Sequence, residues 1–220
     1  MIHAQHFHLT EDNDAAHAAA DQLFAVVRRA LMPILPPAAE ILHVGATAIP
    51  GCLTKGDLDI VVRVEGADFA AAERCLAARF TRNEGSVRTD SFAAFEDAGR
   101  TPHLGIQLTV KDGPIDVFHR FAANLRADPE LVDRYNTLKR AHHDHPMTLY
   151  RAAKDAFISD VLRSRASPPS PSQDGSQTAG RRPTDAVSAP PANSPPRWPP
   201  PPAAPGASEP APAPPPSRRG

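Results

Sequence analysis

The chain has 220 residues and a formal net charge of −1 at pH 7. This near-neutral balance excludes a general electrostatic attraction to nucleic acid or to an anionic membrane. The length is sufficient for one domain with a hydrophobic core. All but eight of the 26 prolines lie at or after Pro168. Only the part of the chain before that residue therefore has the composition of a folded domain.

We accordingly predict one folded domain over residues 1–163 and a disordered tail over residues 164–220. The tail is mainly Pro, Ala and Ser, and it cannot bury enough apolar surface to offset the entropy of ordering. Its Arg-Trp-Pro-Pro-Pro-Pro segment at Trp198 has the composition of a polyproline II ligand for an SH3-like partner. A solvated tail without a partner is the alternative.

The N-terminal and cysteine patterns predict a cytoplasmic protein. Residues 1–14 contain neither the basic nor the apolar region of a signal peptide. No stretch approaches the roughly 18 apolar residues of a membrane span. Cys52 and Cys75 form no CxxC motif, so we expect reduced thiols.

The hydrophobic pattern predicts an α/β (α+β) fold, in which helices cover a small mixed β-sheet and the C-terminal part is helical. Apolar spacing and capping residues predict helices over 12–32, 67–80, 120–141 with a break at Asp128-Pro129, and 147–162. Short β-branched runs predict strands over 41–44, 58–64 and 103–110, and weak strand signals lie around Val87 and over 91–95.

One stretch argues for chemistry, and it reads ILHVGATAIPGCLTKGDLDIVVRV over residues 41–64. Two predicted strands flank a loop whose glycines allow close approach to a ligand. Asp57 and Asp59 are two residues apart at the start of the second strand, so their carboxylates share a face. Such a pair repels itself unless a cation or a proton intervenes, and this favours a Mg²⁺ site. A solvated start to the strand is the alternative interpretation.

The segment HVGATAIPGCLTKGDLDI resembles the signature of the GrpB family, which usually reads HVGSTAVPG before a Lys and an Asp-containing strand. That family is similar to the nucleotidyltransferase superfamily. The resemblance implies a nucleotidyltransferase-like fold over about residues 41–162, with phosphate contacts from Gly45 and Thr47. Ala46 stands where the family usually has Ser, so only Thr47 offers a hydroxyl here.

The resemblance also implies a third carboxylate from a later strand, for which Asp116 is our prediction. It lies between Ile115 and Val117, and a buried charge in that setting needs a partner. A helix N-cap or a surface residue on an edge strand are the alternatives for Asp116.

Two lysines are predicted to contact phosphate. Lys55 lies in the loop, and Lys154 falls in a Tyr-x-x-x-Lys-x-x-Phe-Ile motif that resembles the end of the family's domain. Tyr150 and Lys154 are four residues apart and share a helix face. Solvent-exposed lysines are the alternative at both positions. The His-rich segments 3–8 and 142–145 favour polar loops over a zinc site.

Together these features predict a metal-dependent nucleotidyltransferase that uses Mg²⁺ or Mn²⁺ to move a nucleotide from a nucleoside triphosphate to an unknown acceptor. Asp57, Asp59 and Asp116 would hold the metal, and Gly45, Thr47, Lys55 and Lys154 would bind the nucleotide. A non-catalytic nucleotide-binding module with a degenerate site is the alternative. An interaction protein that works through its Pro-rich tail is the third possibility.

Overall fold

The computed structural model describes residues 5–166 of the chain. This part of the chain forms five α-helices and five strands, in the order helix, two strands, helix, three strands and three helices. The strands are β1 (Glu40–Val44), β2 (Leu58–Val64), β3 (Thr81–Arg82), β4 (Phe92–Asp97) and β5 (Leu104–Val110). The helices are α1 (Asn13–Leu31), α2 (Phe69–Ala77), α3 (Phe118–Ala127), α4 (Pro129–Ala141) and α5 (Met147–Ala166).

The strands form one mixed sheet in the order β1-β2-β5-β4-β3. The central pair, β2 and β5, is parallel, and every other neighbouring pair is antiparallel. The register places Asp59 opposite Val44 on β1 and opposite Gly105 on β5. The start of β2 therefore lies between the end of β1 and the start of β5.

Helices cover both faces of the sheet, and each face has its own core. Alternate residues of β2, including Leu58 and Ile60, pack with α1 and α2 on one face. Val61 of the same strand packs with α3, α4 and α5 on the opposite face. Since side chains alternate along a strand, Asp59, Val61 and Arg63 all point towards the α3–α5 layer. The arrangement confirms the predicted mixed sheet with covering helices.

Local signals account for the helix boundaries. The Asp12 side chain accepts a hydrogen bond from the Ala15 amide at the start of α1, and Asp128 accepts one from the Leu131 amide at the start of α4. Both are N-caps, and Pro129 follows in the first turn, where its missing N–H costs nothing. The predicted break at Asp128-Pro129 is thus confirmed.

Three local predictions differ from the structure. The segment around Val87 forms no strand, and its side chain is 47% exposed. Helix α2 is shorter than predicted, because it begins at Phe69 after a 3₁₀ turn. Helix α5 continues through Ala166, three residues beyond the predicted domain end at 163. The predictions of disorder and of an SH3-like partner for the tail lie outside the described residues.

Within residues 5–166, none of the helices is both long enough and apolar enough to span a membrane.

Candidate functional site

The glycine loop and the start of β2 line one side of a cavity under the α3–α5 layer. After β1, Gly45 takes a φ of 77°, and a 3₁₀ turn follows over Ala46–Ala48. Asp57 and Asp59 line the same cavity as Gly45 and Ala46 of this turn. Both aspartates face the same space, as their spacing predicts.

The Asp59 carboxylate lies between two glycines. A Cβ at Gly45 would lie 2.6 Å from Asp59 Oδ2, and a Cβ at Gly105 would lie 2.9 Å from Asp59 Oδ1. Any side chain at either position would therefore displace the carboxylate. Gly45 also has a positive φ, which other residues rarely adopt. Glycine at both positions keeps Asp59 in the cavity wall.

The surroundings of Asp59 disfavour its ionised form. Burial raises the pKa of Asp59, and the nearby negative charge of Asp57 raises it further. Lys154 and Lys55 act in the opposite direction without reversing the shift. A divalent cation would offset both the burial and the repulsion, and paired carboxylate oxygens are ligands that Mg²⁺ and Mn²⁺ prefer. The two carboxylates therefore fit such a cation.

Cationic side chains surround the aspartates. The Lys55 ammonium pairs with the Asp57 carboxylate, and the Lys55 side chain is 41% exposed. Lys154 lines the cavity from α5, and burial lowers its pKa, with Asp59 acting against that shift. Arg151 and Lys139 line the same cavity. Four cationic side chains around two carboxylates give an environment suited to a polyanion such as a triphosphate.

The remaining walls are largely aromatic, with rings from the N-terminal segment, the sheet and the α3–α5 layer. They are Phe7, Phe92, Phe95, Phe118, Phe121, Tyr135 and Tyr150. Tyr150 stacks on Phe7 with ring centroids 3.7 Å apart. It lines the cavity together with Lys154, so the shared helix face that their spacing predicts is confirmed.

Helix α4 fixes the middle of the glycine loop through two buried polar side chains. The Asn136 side chain donates to the Gly51 carbonyl at 2.8 Å and accepts from the Leu53 amide at 2.8 Å. Lys139 donates to the Leu53 carbonyl and lies 3.0 Å from Cys52 Sγ. Burial lowers the pKa of Lys139 to about 8. The sequence pattern showed only apolar helix spacing here, so these contacts were missed.

The predicted third ligand, Asp116, lies elsewhere. Its carboxylate accepts two hydrogen bonds from the Arg63 guanidinium, at 2.8 and 2.6 Å. It also accepts from the Thr109 hydroxyl at 3.1 Å and from the Asp112 amide at 2.9 Å. Arg63 is four residues along β2 from Asp59, about 13 Å at the rise of a strand. Asp116 does not line the cavity, and these bonds favour a structural role for it over that of a metal ligand there.

The Thr47 hydroxyl, which we predicted to contact phosphate, is directed away from the cavity. Thr47 is 2% exposed, and its hydroxyl donates its one proton to the Asp57 carbonyl at 2.9 Å. It does not line the cavity, whereas Ala46 does. The substitution of Ala for the family's usual Ser therefore removes a hydroxyl from the position that faces the ligand space.

On β5, the positions beside Asp59 carry no carboxylate. Gly105 is directly opposite Asp59, and Gln107 is the next residue on the same face of β5. In the described part of the chain, Asp57 and Asp59 are the acidic side chains that line this cavity. Gly105 lies inside the predicted strand HLGIQLTV, and a glycine in a strand often marks a close approach of another group to the backbone. The sequence prediction did not use this signal.

The two His-rich segments do meet in space. Among residues 5–166, His8, His143 and Asp144 are the group whose ligand atoms lie within 4.8 Å of one another. However, the Leu9 amide donates to His143 Nδ1 at 3.0 Å. That nitrogen must be unprotonated, so the proton is on Nε2, the atom facing Asp144. The geometry favours a hydrogen-bonded loop contact over a metal site.

Comparisons with known proteins place this fold and loop in a family. The family model described as GrpB protein matches residues 7–164. The chain belongs to the GrpB family. A UPF0157 protein of Vibrio cholerae is 32% identical over 150 residues, which cover 68% of this chain and 79% of the relative.

A solved GrpB structure has the same architecture. The crystal structure of GrpB from Enterococcus faecalis has a TM-score of 0.55 and 21% sequence identity, and the match covers 66% of this chain and 92% of that chain. The Cid1 poly(U) polymerase bound to MgGTP has a TM-score of 0.42 and 13% identity over 59% of this chain and 42% of that chain. The mixed α/β fold is thus one that a solved GrpB protein shares.

Proposed function

We propose that this GrpB protein binds a nucleoside triphosphate as its Mg²⁺ or Mn²⁺ complex and transfers the nucleotidyl group to an acceptor. The observation that carries the proposal is the Asp59 carboxylate, which two glycines hold beside Asp57 in a cavity rich in lysine. The fold tolerates this buried carboxylate with its raised pKa at the start of the inner strand β2. Carboxylates with perturbed pKa values concentrate at functional sites.

Each side chain has a defined role in this proposal. Asp57 and Asp59 would hold the cation, which neutralises phosphate charge and polarises phosphoryl oxygens when bound. Lys55 would leave Asp57 and pair with phosphate, since its ammonium is already close and its side chain is partly exposed. Lys154 would contact phosphate from α5, and the turn at Gly45 would offer backbone amides.

The experiment is a calorimetric titration with each of the four ribonucleoside triphosphates, with and without Mg²⁺. We expect binding that depends on Mg²⁺, because the triphosphate reaches the two carboxylates as a metal complex. Asp59→Asn should weaken the Mg²⁺-dependent binding by roughly 1–3 kcal/mol, the scale of a lost charge-assisted contact. Equal affinities in all four combinations of protein and metal would exclude this function.

A second candidate is a non-catalytic nucleotide-binding module. Two observations favour it: Asp116 is occupied by Arg63, and Ala46 leaves the turn without a hydroxyl towards the cavity. Release of pyrophosphate with candidate acceptors distinguishes the two functions, since binding without release on any acceptor supports the module. Ala46→Ser should strengthen triphosphate binding by about 0.5–1.5 kcal/mol in either case.

We further propose that the protein is cytoplasmic. The described part of the chain contains Cys52 and Cys75 as free thiols, which suits a reducing compartment. Fractionation of cells that express the full chain tests this location.

A further inference from the structure

A chain of three polar contacts connects the protein surface to the Asp57 backbone through His43. The imidazole lies on β1, where the Phe24 ring of α1 stacks on it. Its Nδ1 is 3.1 Å from Asp21 Oδ1, and its Nε2 is 3.1 Å from Thr47 Oγ1. The Thr47 hydroxyl continues to the Asp57 carbonyl at 2.9 Å.

Counting protons shows that these contacts are not independent. The Asp21 carboxylate and the Asp57 carbonyl only accept, and the Thr47 hydroxyl has one proton to give. The Asp21 carboxylate 3.1 Å from Nδ1 favours the neutral tautomer of His43 that keeps its proton on Nδ1, and this tautomer has a lone pair at Nε2. Thr47 must then choose between Nε2 and the Asp57 carbonyl. The imidazolium form has a proton on each nitrogen, so all three hydrogen bonds form together.

We propose that protonated His43 is a positioning residue for the candidate site, which holds the Thr47 proton on the Asp57 carbonyl and so fixes the start of β2. Asp57 is the residue that carries one of the two carboxylates of the cavity. Deprotonation of His43 leaves a lone pair at Nε2 that competes with the Asp57 carbonyl for the Thr47 proton, and this weakens the hold on the Asp57 backbone. The consequence for nucleotide binding rests on the proposed function, whereas the hydrogen-bond linkage does not.

The charged groups around His43 set the pH at which this happens. Asp21 on α1 favours the protonated form. Burial opposes it most strongly, and Arg126 on α3 and His17 on α1 oppose it as neighbouring cations. The balance lowers the pKa of His43 below its ordinary value. The three-bond state is therefore complete on the acidic side of that pKa and is lost as pH rises through it.

Nuclear magnetic resonance of the ligand-free protein tests the linkage directly. We expect the Asp57 carbonyl carbon shift to follow the His43 titration in the wild type and in Thr47→Ser, which keeps the hydroxyl. It should stop doing so in Thr47→Val, which keeps the shape and lacks the hydroxyl. Asp21→Asn should lower the pKa of His43 by about one pH unit. An Asp57 carbonyl shift that ignores the His43 titration in the wild type would overturn the proposal.

Affinity for Mn²⁺-ATP at a series of pH values tests the consequence. Ionisation of Asp59 affects every variant alike, so the ratio of wild-type to Thr47→Val affinity isolates the His43 effect. We expect this ratio to fall by about threefold to tenfold as pH rises through the pKa of His43. A ratio that stays constant would overturn the positioning role. A wild type that binds no Mn²⁺-ATP at any pH would refute the proposed function, and the resonance experiment would still decide the linkage.

Discussion

One carboxylate lies at each end of strand β2, and the two are in opposite states. At the far end, Asp116 accepts bonds from Arg63, Thr109 and the Asp112 amide. These bonds lower the pKa of Asp116, although burial alone would raise it. At the near end, Asp59 has a second carboxylate as its neighbour, and burial raises its pKa.

Under the proposed function, the difference separates a structural charge from one that a ligand compensates. A buried ion pair with its hydrogen bonds made contributes to the fold, and removing one partner leaves an uncompensated charge. A buried carboxylate beside a like charge works against the fold, and proteins keep such groups where a ligand compensates them. Residue type alone does not distinguish the two, because both are aspartates in apolar surroundings.

The largest expected effect comes from removing the Asp116 carboxylate at the far end of β2. Asp116→Ala should lower the free energy of unfolding by about 3–5 kcal/mol, because it removes the buried partner of the largely buried Arg63 and leaves it only the partly exposed Glu40. Urea denaturation at pH 7 measures this. Because the folded pKa of Asp116 is lowered, its stabilisation is present above its unfolded pKa and is lost as pH falls through the folded value. An Asp116→Ala protein as stable as the wild type would remove the contrast between the two ends.

The cost of burying the Lys139 charge beside the glycine loop should be relieved in alkali. The pKa of Lys139 is lowered to about 8, below the unfolded value of about 10.4. Between these values the unfolded chain binds more protons, so stability should rise with pH by about 3 kcal/mol. Lys139→Met has no such group. The difference in unfolding free energy between wild type and Lys139→Met, measured from pH 7 to pH 10, should show this rise, and a flat difference would contradict the buried charge.

A smaller effect is expected from filling the space beside Asp59. In Gly105→Ala the new Cβ would lie 2.9 Å from Asp59 Oδ1, so the carboxylate must move. We expect Mn²⁺ affinity to fall about tenfold, or about 1.4 kcal/mol. Gly66→Ala is the matched control, because its Cβ would lie no closer than 3.8 Å to a neighbouring atom, Val110 Cγ1. Equal losses in the two variants would show that the carboxylate's position does not matter.

The smallest effect should come from Glu40, the partly exposed carboxylate that also pairs with Arg63. Glu40 also accepts from Arg63, at 2.6 Å, but its side chain is 43% exposed. Glu40→Gln should therefore change stability by less than about 1 kcal/mol, as for other exposed ion pairs. Thermal denaturation at low and high salt measures it. A loss as large as that of Asp116→Ala would mean that burial is not what separates these contacts.

Much of the fold was readable from local signals. The β-branched run over Leu58–Val64 predicted β2 with its observed ends. Asp128 and Pro129 marked the start of α4, because capping and proline geometry act within one turn. Such features depend on a few neighbouring residues, so a single sequence contains them.

The site was only half readable, because its remaining contacts join distant segments. Arg63 and Asp116 are 53 positions apart, and nothing local connects them. A charged Arg63 inside an apolar strand did signal that a partner was needed, and Asp116 was the better candidate for that partner than for a metal. The Thr47 hydroxyl likewise looked like a ligand group, because its bond to the Asp57 carbonyl depends on how the loop folds back.

Titration of Mn²⁺ into ligand-free wild type, Asp59→Asn and Asp116→Asn, followed by electron paramagnetic resonance under conditions where all three are folded, tests the contrast most directly. We predict that Asp59→Asn weakens Mn²⁺ binding by roughly 1–3 kcal/mol, the scale of a lost charge-assisted contact. Asp116→Asn should stay within about twofold of the wild type, because Asp116 is bonded to Arg63 and lies away from the cavity. A loss in Asp116→Asn that equals the loss in Asp59→Asn would contradict the assignment of the metal site to the near end of β2.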